Sequence, residues 1–92
     1  MADQKTDQNK LWVEVLLPNY YDKSAAFSGS AKSVSGTNSE GNFDILPLHA
    51  NFVSVVSQKL VIVEENGASR EIKFEKGLIE ASNNVVKIFV EF

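Results

Sequence analysis

No cysteine occurs in the 92 residues of the chain. Disulfides, thiolate nucleophiles and sulfur ligands for a metal are excluded together. Histidine occurs once, as His49, and the carboxylates around it are dispersed, so no metal-ligand cluster can be recognised. Lysines and arginines never run together, and the formal net charge is −3 with a pI near 5.0. Binding to a phosphate backbone by counterion release needs a clustered basic face, so nucleic acid is not an expected partner. Long apolar runs are also missing. The longest strongly apolar stretch is Leu60-Val61-Ile62-Val63, far short of the roughly 20 residues that a spanning helix needs. The opening MADQKTDQNK has no apolar segment of the kind a secretory signal requires. Together these absences predict a soluble chain on the cytosolic side, with no direct membrane insertion.

The apolar material that is present suffices for a core. Hydrophobic residues make up 43% of the chain, which predicts a folded domain rather than disorder. A chain of this length supports one domain, burying about 60–65% of its unfolded surface and leaving little room for a deep catalytic cavity. Residues 1–9 read as a polar disordered tail and residues 10–92 as a single domain.

Within that domain the periodicity is extended almost throughout. KLWVEVLLP alternates, with Leu11, Val13, Val15 and Leu17 on one face, and Pro18 ends the strand because proline cannot donate to a ladder. NYYDKSAAFSGS reads as a loop leading into a short strand near Lys32–Ser35, and GTNSEGN reads as a turn. Two short apolar pieces, Phe43–Leu46 and Phe52–Val56, flank Pro47–Asn51. KLVIVEENGASREIKFE is a hairpin around Asn66-Gly67. Its Glu64-Glu65 pair is expected at a solvated tip. LIEASNNVVKIFVEF is a second hairpin around Ser82-Asn83-Asn84, with Val86, Ile88, Val90 and Phe92 on one face. No amphipathic helix of three turns can be drawn. The fold expected is an all-β, flattened two-sheet sandwich or barrel of about 8–10 short, mostly antiparallel strands.

Gly36 and Gly41 have the gap of a phosphate loop, but Asn42 and Phe43 stand where lysine and Ser/Thr belong, and a strand follows. A hydrolytic triad would need a serine and a carboxylate on His49; with ten serines one lies nearby by chance, and no G-x-S-x-G elbow exists. His49 is therefore either a polar loop residue bonded to a nearby carbonyl or an interface residue on a fixed loop. Trp12, Leu16, Val85 and Phe89 fall on the faces opposite the main apolar sets of the first and last strands. Either loops cover them or the outer face stays apolar for a partner. Tyr20 and Tyr21, with Trp12, would supply the stacking platform of a free-standing ligand- or carbohydrate-binding module.

The segment EGNFDILPLHANFVSVV resembles the signature of the N-terminal β-sandwich domain of the F-type ATP synthase epsilon subunit (delta in mitochondria). In that family a glycine turn, a strand and a Leu/Tyr-Pro-Gly-His-Ala-Pro loop follow one another; here these are Gly41, Phe43–Leu46 and Pro47–Asn51. VEVLLP, FSGSAKSVSG and REIKFEKGLIEASNNVVKIFV extend the resemblance from Leu11 to Phe92. Leu48 replaces the usual glycine, Asn51 the usual proline, and Lys76-Gly77 stands where two glycines are common. The family's C-terminal helical hairpin is missing from the chain, so neither its inhibition of hydrolysis nor its ATP binding is expected. The resemblance implies a non-catalytic rotor subunit without cofactor, coupling the gamma subunit to the polar loops of the c-ring in proton-driven ATP synthesis. It implies a peripheral place on the cytoplasmic side of the energy-coupling membrane. Glu40, Asn42, Phe43, Asp44, Pro47, Leu48, His49 and Asn51 are the expected c-ring and gamma docking loops. Trp12, Leu16, Val85 and Phe89 are the expected gamma-facing apolar face.

Overall fold

A computed structural model of the chain describes residues 9–17 and 27–91. The tail before Asn9, Pro18, Tyr20, Tyr21 and Phe92, for which the sequence raised expectations, lie outside the described residues. Among the described residues six strands follow in chain order: β1 (Leu11–Leu16), β2 (Phe27–Asn38), β3 (Gly41–Ile45), β4 (Phe52–Glu64), β5 (Ser69–Ser82) and β6 (Val85–Glu91). They order as β1-β6-β5-β4-β2-β3, and β1 also pairs with β2. Five strands thus close into a barrel, and β3 is added outside β2 as a sixth. The β1–β6 pair is parallel and every other pair is antiparallel.

The all-β class is as the sequence predicts. The described strands are fewer and longer than expected, because the chain bends within strands instead of breaking between them. β2 runs for 12 residues where only Lys32–Ser35 reads as a strand. Its serines and glycines have poor β-propensity, but it is held on both sides, by β1, β3 and β4. Pairing and burial override local preference. Gly36–Asn38 and Gly41–Asn42 pair with each other or their neighbours, so the expected long turn shrinks to Ser39-Glu40.

Two bulges flip the inward side of a strand. Opposite β4, the register moves from Ser57↔Lys76 to Gln58↔Phe74, leaving Glu75 as an extra residue on β5. Before it Phe74 points inward; after it Gly77, Ile79 and Ala81 do. Opposite β4 again, β2 passes from Ala31 to Ser33, and its buried positions change from Ala31 to Val34 and Gly36. One extra residue in a strand turns every later side chain over.

The core is the barrel lumen. Leu11, Val13 and Val15 of β1 meet Leu60 and Ile62 of β4, Ile79 of β5 and Val86 and Ile88 of β6, all buried. Gly77 is required by close approach: a Cβ there would sit 2.9 Å from the Phe89 carbonyl oxygen. Backbone on one side and the Val56 and Phe74 side chains on the other leave no space. Lys76-Gly77 is thus a point of tight strand packing beside the bulge. The β4–β5 hairpin tip is less loose than its sequence suggests. Lys10 Nζ lies 2.6 Å from Glu65, and Arg70 Nε donates to Glu64 at 3.0 Å.

Candidate functional site

The outer wall of the barrel can be read row by row, since paired residues on one face lie side by side about 4.8 Å apart. Leu16 is opposite Phe89, Phe89 opposite Leu78, and Leu78 opposite Val55. All four point outward, giving one unbroken apolar row across β1, β6, β5 and β4. Phe89 is 44% exposed, Leu78 42% and Val55 60%. With Leu17 and Gly77 they line a shallow open depression, flanked by Lys76 and Glu91. These last two are opposite each other on β5 and β6.

The next row is polar for three strands: Glu14, Lys87 and Glu80, with Val53 at its far end. Alternating charge on neighbouring strands is favourable and well hydrated. The row beyond it holds Trp12, Val85 and Ser82. The four residues expected as one apolar face are therefore divided by a charged row. Leu16 and Phe89 belong to the continuous apolar row. Trp12 and Val85, both half-buried, lie two rows away, and the Trp12 indole N–H donates to Glu14 Oε2 at 3.1 Å.

Leu78 and Val55 are members of the apolar row that sequence reasoning missed. An unbroken alternation from Ile72 and Phe74 would have turned Leu78 inward. The signal was the adjacent polar pair Glu75-Lys76, which interrupts the alternation and marks the bulge.

The residues expected in the docking loops form two groups. Glu40, Asn42 and Asp44 are exposed on the β2–β3 hairpin. Thr37 donates to Asn42 Oδ1 at 2.9 Å, and Ser35 Oγ donates to Asp44. Phe43 differs from them. It is half-buried, its ring covers Gly36, where a Cβ would come within 2.9 Å, and it meets Phe52 at 5.1 Å between centroids. Phe43 packs β3 down onto the barrel.

Pro47, Leu48, His49 and Asn51 form the second group. The His49 N–H donates to the Leu46 carbonyl at 3.1 Å, closing a tight turn with Pro47 and Leu48 at its centre. Proline fixes the first central position, and Leu48 takes φ = 70° at the second. That conformation is costly for leucine and explains why glycine suits this place. Leu48 is 69% exposed and Leu46 55%. His49 Nδ1 lies 2.7 Å from the Ala50 carbonyl oxygen, which can only accept, so Nδ1 donates in that bond. The ring edge rests on Phe52 at 5.6 Å. The bond to the Ala50 carbonyl is the one that the polar-loop reading of His49 expects, and Asp44, the acid nearest before it in sequence, is engaged by Ser35 instead.

Among the described residues no three of His, Asp and Glu converge as metal ligands. The Trp12 indole N–H is engaged by Glu14, and the two tyrosines expected beside it lie outside the described residues.

Comparison with known proteins bears on this site. The family described as ATP synthase, Delta/Epsilon chain, beta-sandwich domain matches residues 11–92. An ATP synthase epsilon chain of Endomicrobium trichonymphae is 31% identical over 84 residues, spanning 91% of this chain and 58% of that protein. An ATP synthase epsilon chain of Clostridium botulinum (strain Eklund 17B / Type B) is 35% identical over 66 residues, spanning 71% and 49%. The chain thus spans between about half and three-fifths of the length of these relatives. In solved structures the fold recurs in the Euglena gracilis mitochondrial ATP synthase (OSCP/F1/c-ring), with a TM-score of 0.76 at 14% identity, covering 89% of this chain and 51% of that one. It recurs also in the central stalk/c-ring of the Tetrahymena thermophila mitochondrial ATP synthase, with a TM-score of 0.70 at 20% identity, covering 95% and 67%.

Proposed function

The chain belongs to the ATP synthase delta/epsilon family through its β-sandwich domain, and on that basis we propose that it is a non-catalytic subunit of the rotor stalk. It couples the gamma subunit to the c-ring in proton-driven ATP synthesis and needs no cofactor of its own. Its place is peripheral, on the cytoplasmic side of the energy-coupling membrane. Among the described residues no helix is long and apolar enough to cross a membrane. Residues 10–92 act as the coupling block, preceded by a polar tail.

The observation that carries this reading is the apolar row Leu16–Phe89–Leu78–Val55. Four neighbouring strands each place one apolar side chain outward in register, so the row runs unbroken for about 14 Å along the barrel wall. Such a strip suits an elongated partner that contacts all four strands at once, as a stalk helix of gamma would. Barrel closure supports the mechanical role. Each of the five ring strands is bonded on both sides over part of its length, so a load applied to one strand is shared around the barrel.

The second contact is assigned to the turn ends. Glu40, Asn42 and Asp44, together with Pro47, Leu48, His49 and Asn51, face the c-ring loops or the foot of gamma. Phe43 supports them from below.

Co-purification tests the proposal. The untagged chain, co-expressed with tagged gamma and c subunits from the same genome, is expected in the purified complex at one copy per gamma. Its absence from complexes that contain both other subunits would overturn the assignment.

A further inference from the structure

The turn at Leu46–His49 is held by a residue far away in the sequence. Asn83 and Asn84 form the β5–β6 turn with φ of 52° and 64°. Asparagine tolerates that left-handed region better than most residues. Asn84 then makes two bonds in opposite directions. Its backbone carbonyl accepts from the Trp12 N–H at 2.8 Å, extending the parallel β1–β6 pair by one step. Its side-chain Oδ1 accepts from the Leu48 N–H at 2.6 Å.

Leu48 is the one residue of the loop with positive φ. The usual solution is glycine, which enters that region at no steric cost. Here leucine occupies it, and an acceptor is fixed in front of its amide. We infer that Asn84 is a positioning residue: its side-chain bond holds Leu48 in the left-handed conformation, which fixes the His49 ring and turns the leucine side chain out to solvent. Among the described residues no other hydrogen bond ties the tip of the loop to another strand pair. The His49–Leu46 bond lies within the turn, and the His49–Phe52 contact lies just after it.

The functional part of this inference rests on the reading of the loop as a rotor contact. A docking loop that must reorder on binding loses affinity in proportion to the states it gives up. The Asn84 bond removes those states beforehand. It also links the loop to the β1–β6 end of the barrel, so the loop moves with the wall that carries the apolar row.

The test uses the full chain and two variants. Asn84→Gly keeps the positive φ and the carbonyl bond to Trp12 but deletes Oδ1. Asn84→Asp keeps an acceptor at the same place and also tolerates positive φ. Amide hydrogen exchange is followed at Leu48 and Trp12, and dissociation is timed from an immobilised complex of gamma with the c-ring. In Asn84→Gly, exchange at Leu48 should rise about fivefold, the size of one net hydrogen bond, with Trp12 unchanged. Dissociation should accelerate by a similar factor, and Asn84→Asp should restore most of both.

Unchanged exchange at Leu48 in Asn84→Gly would overturn the latch. Faster exchange with unchanged dissociation would overturn the positioning role. If the unaltered chain fails to bind the gamma–c-ring complex while the exchange difference stands, the latch holds and the docking reading of the loop is what fails.

Discussion

Two ends of one barrel wall are built on different principles. At the end where β1 and β6 finish, Leu16, Phe89, Leu78 and Val55 form a row through cross-strand register alone. No side-chain hydrogen bond aims them, and the backbone ladder sets their spacing. At the end where β1 and β6 begin, the Leu46–His49 turn is shaped by directed bonds. These run from His49 to Leu46, from Leu48 to Asn84 and from Trp12 to Asn84. The row depends only on apolar character and register, so it should tolerate substitution of one apolar residue by another, while the loop depends on individual atoms. Between them lies the charged row Glu14–Lys87–Glu80, which keeps the two surfaces distinct.

Charge placed in the row should have the largest effect of any change at either end. Phe89→Asp combined with Leu78→Asp should weaken binding to gamma at least thirtyfold by calorimetry, the loss of about 2 kcal/mol typical of one buried interface anchor. Both side chains are substantially exposed in the free chain, so its thermal midpoint should fall by only a few degrees. Unchanged affinity would erase the distinction between the row and the rest of the wall.

Beneath the row, Gly77→Ala should destabilise the chain by about 1–3 kcal/mol in urea titration, since its Cβ would meet a backbone oxygen that cannot move aside. A neutral result would mean that β5 and β6 are less closely held there than the 2.9 Å approach indicates.

At the loop end, Leu48→Asn should raise stability by about 0.5–1 kcal/mol, because asparagine enters the left-handed region more readily than leucine. If stability falls instead, the exposed leucine contributes packing that outweighs its strain.

The smallest change is expected in the row of Trp12. Val85→Ser should alter gamma affinity less than twofold, because the charged row separates Val85 from the apolar strip. A larger loss would join the two rows into the single face that the sequence pattern suggests.

Much of this was legible before any coordinates. The alternation Leu11, Val13, Val15 and the set Val86, Ile88, Val90 each identify a strand and its buried side, and both sets are buried. Asn66-Gly67 and Asn83-Asn84 locate turns by chemistry that few other residues share. Pro47 and His49 single out the loop. The apolar row was half visible, through Leu16 and Phe89. Leu78 and Val55 were not, because the face on which Leu78 emerges is set by a bulge made between two strands.

The sequence by itself therefore determined the local alternatives: which segments extend, which dipeptides turn, and which side of an uninterrupted strand is apolar. These follow from the two-residue period of a pleated chain and from backbone sterics at asparagine, glycine and proline, which act within a few residues. Tertiary structure decided the rest. β2 became a long strand because neighbours on both sides completed its hydrogen bonds. Leu78 came to face solvent because β4 admits an extra residue opposite it. Asn84 came to hold Leu48, 36 residues away, because barrel closure brings the two turns to the same end. Pairing across the sheet is non-local, and no periodicity along the chain encodes it.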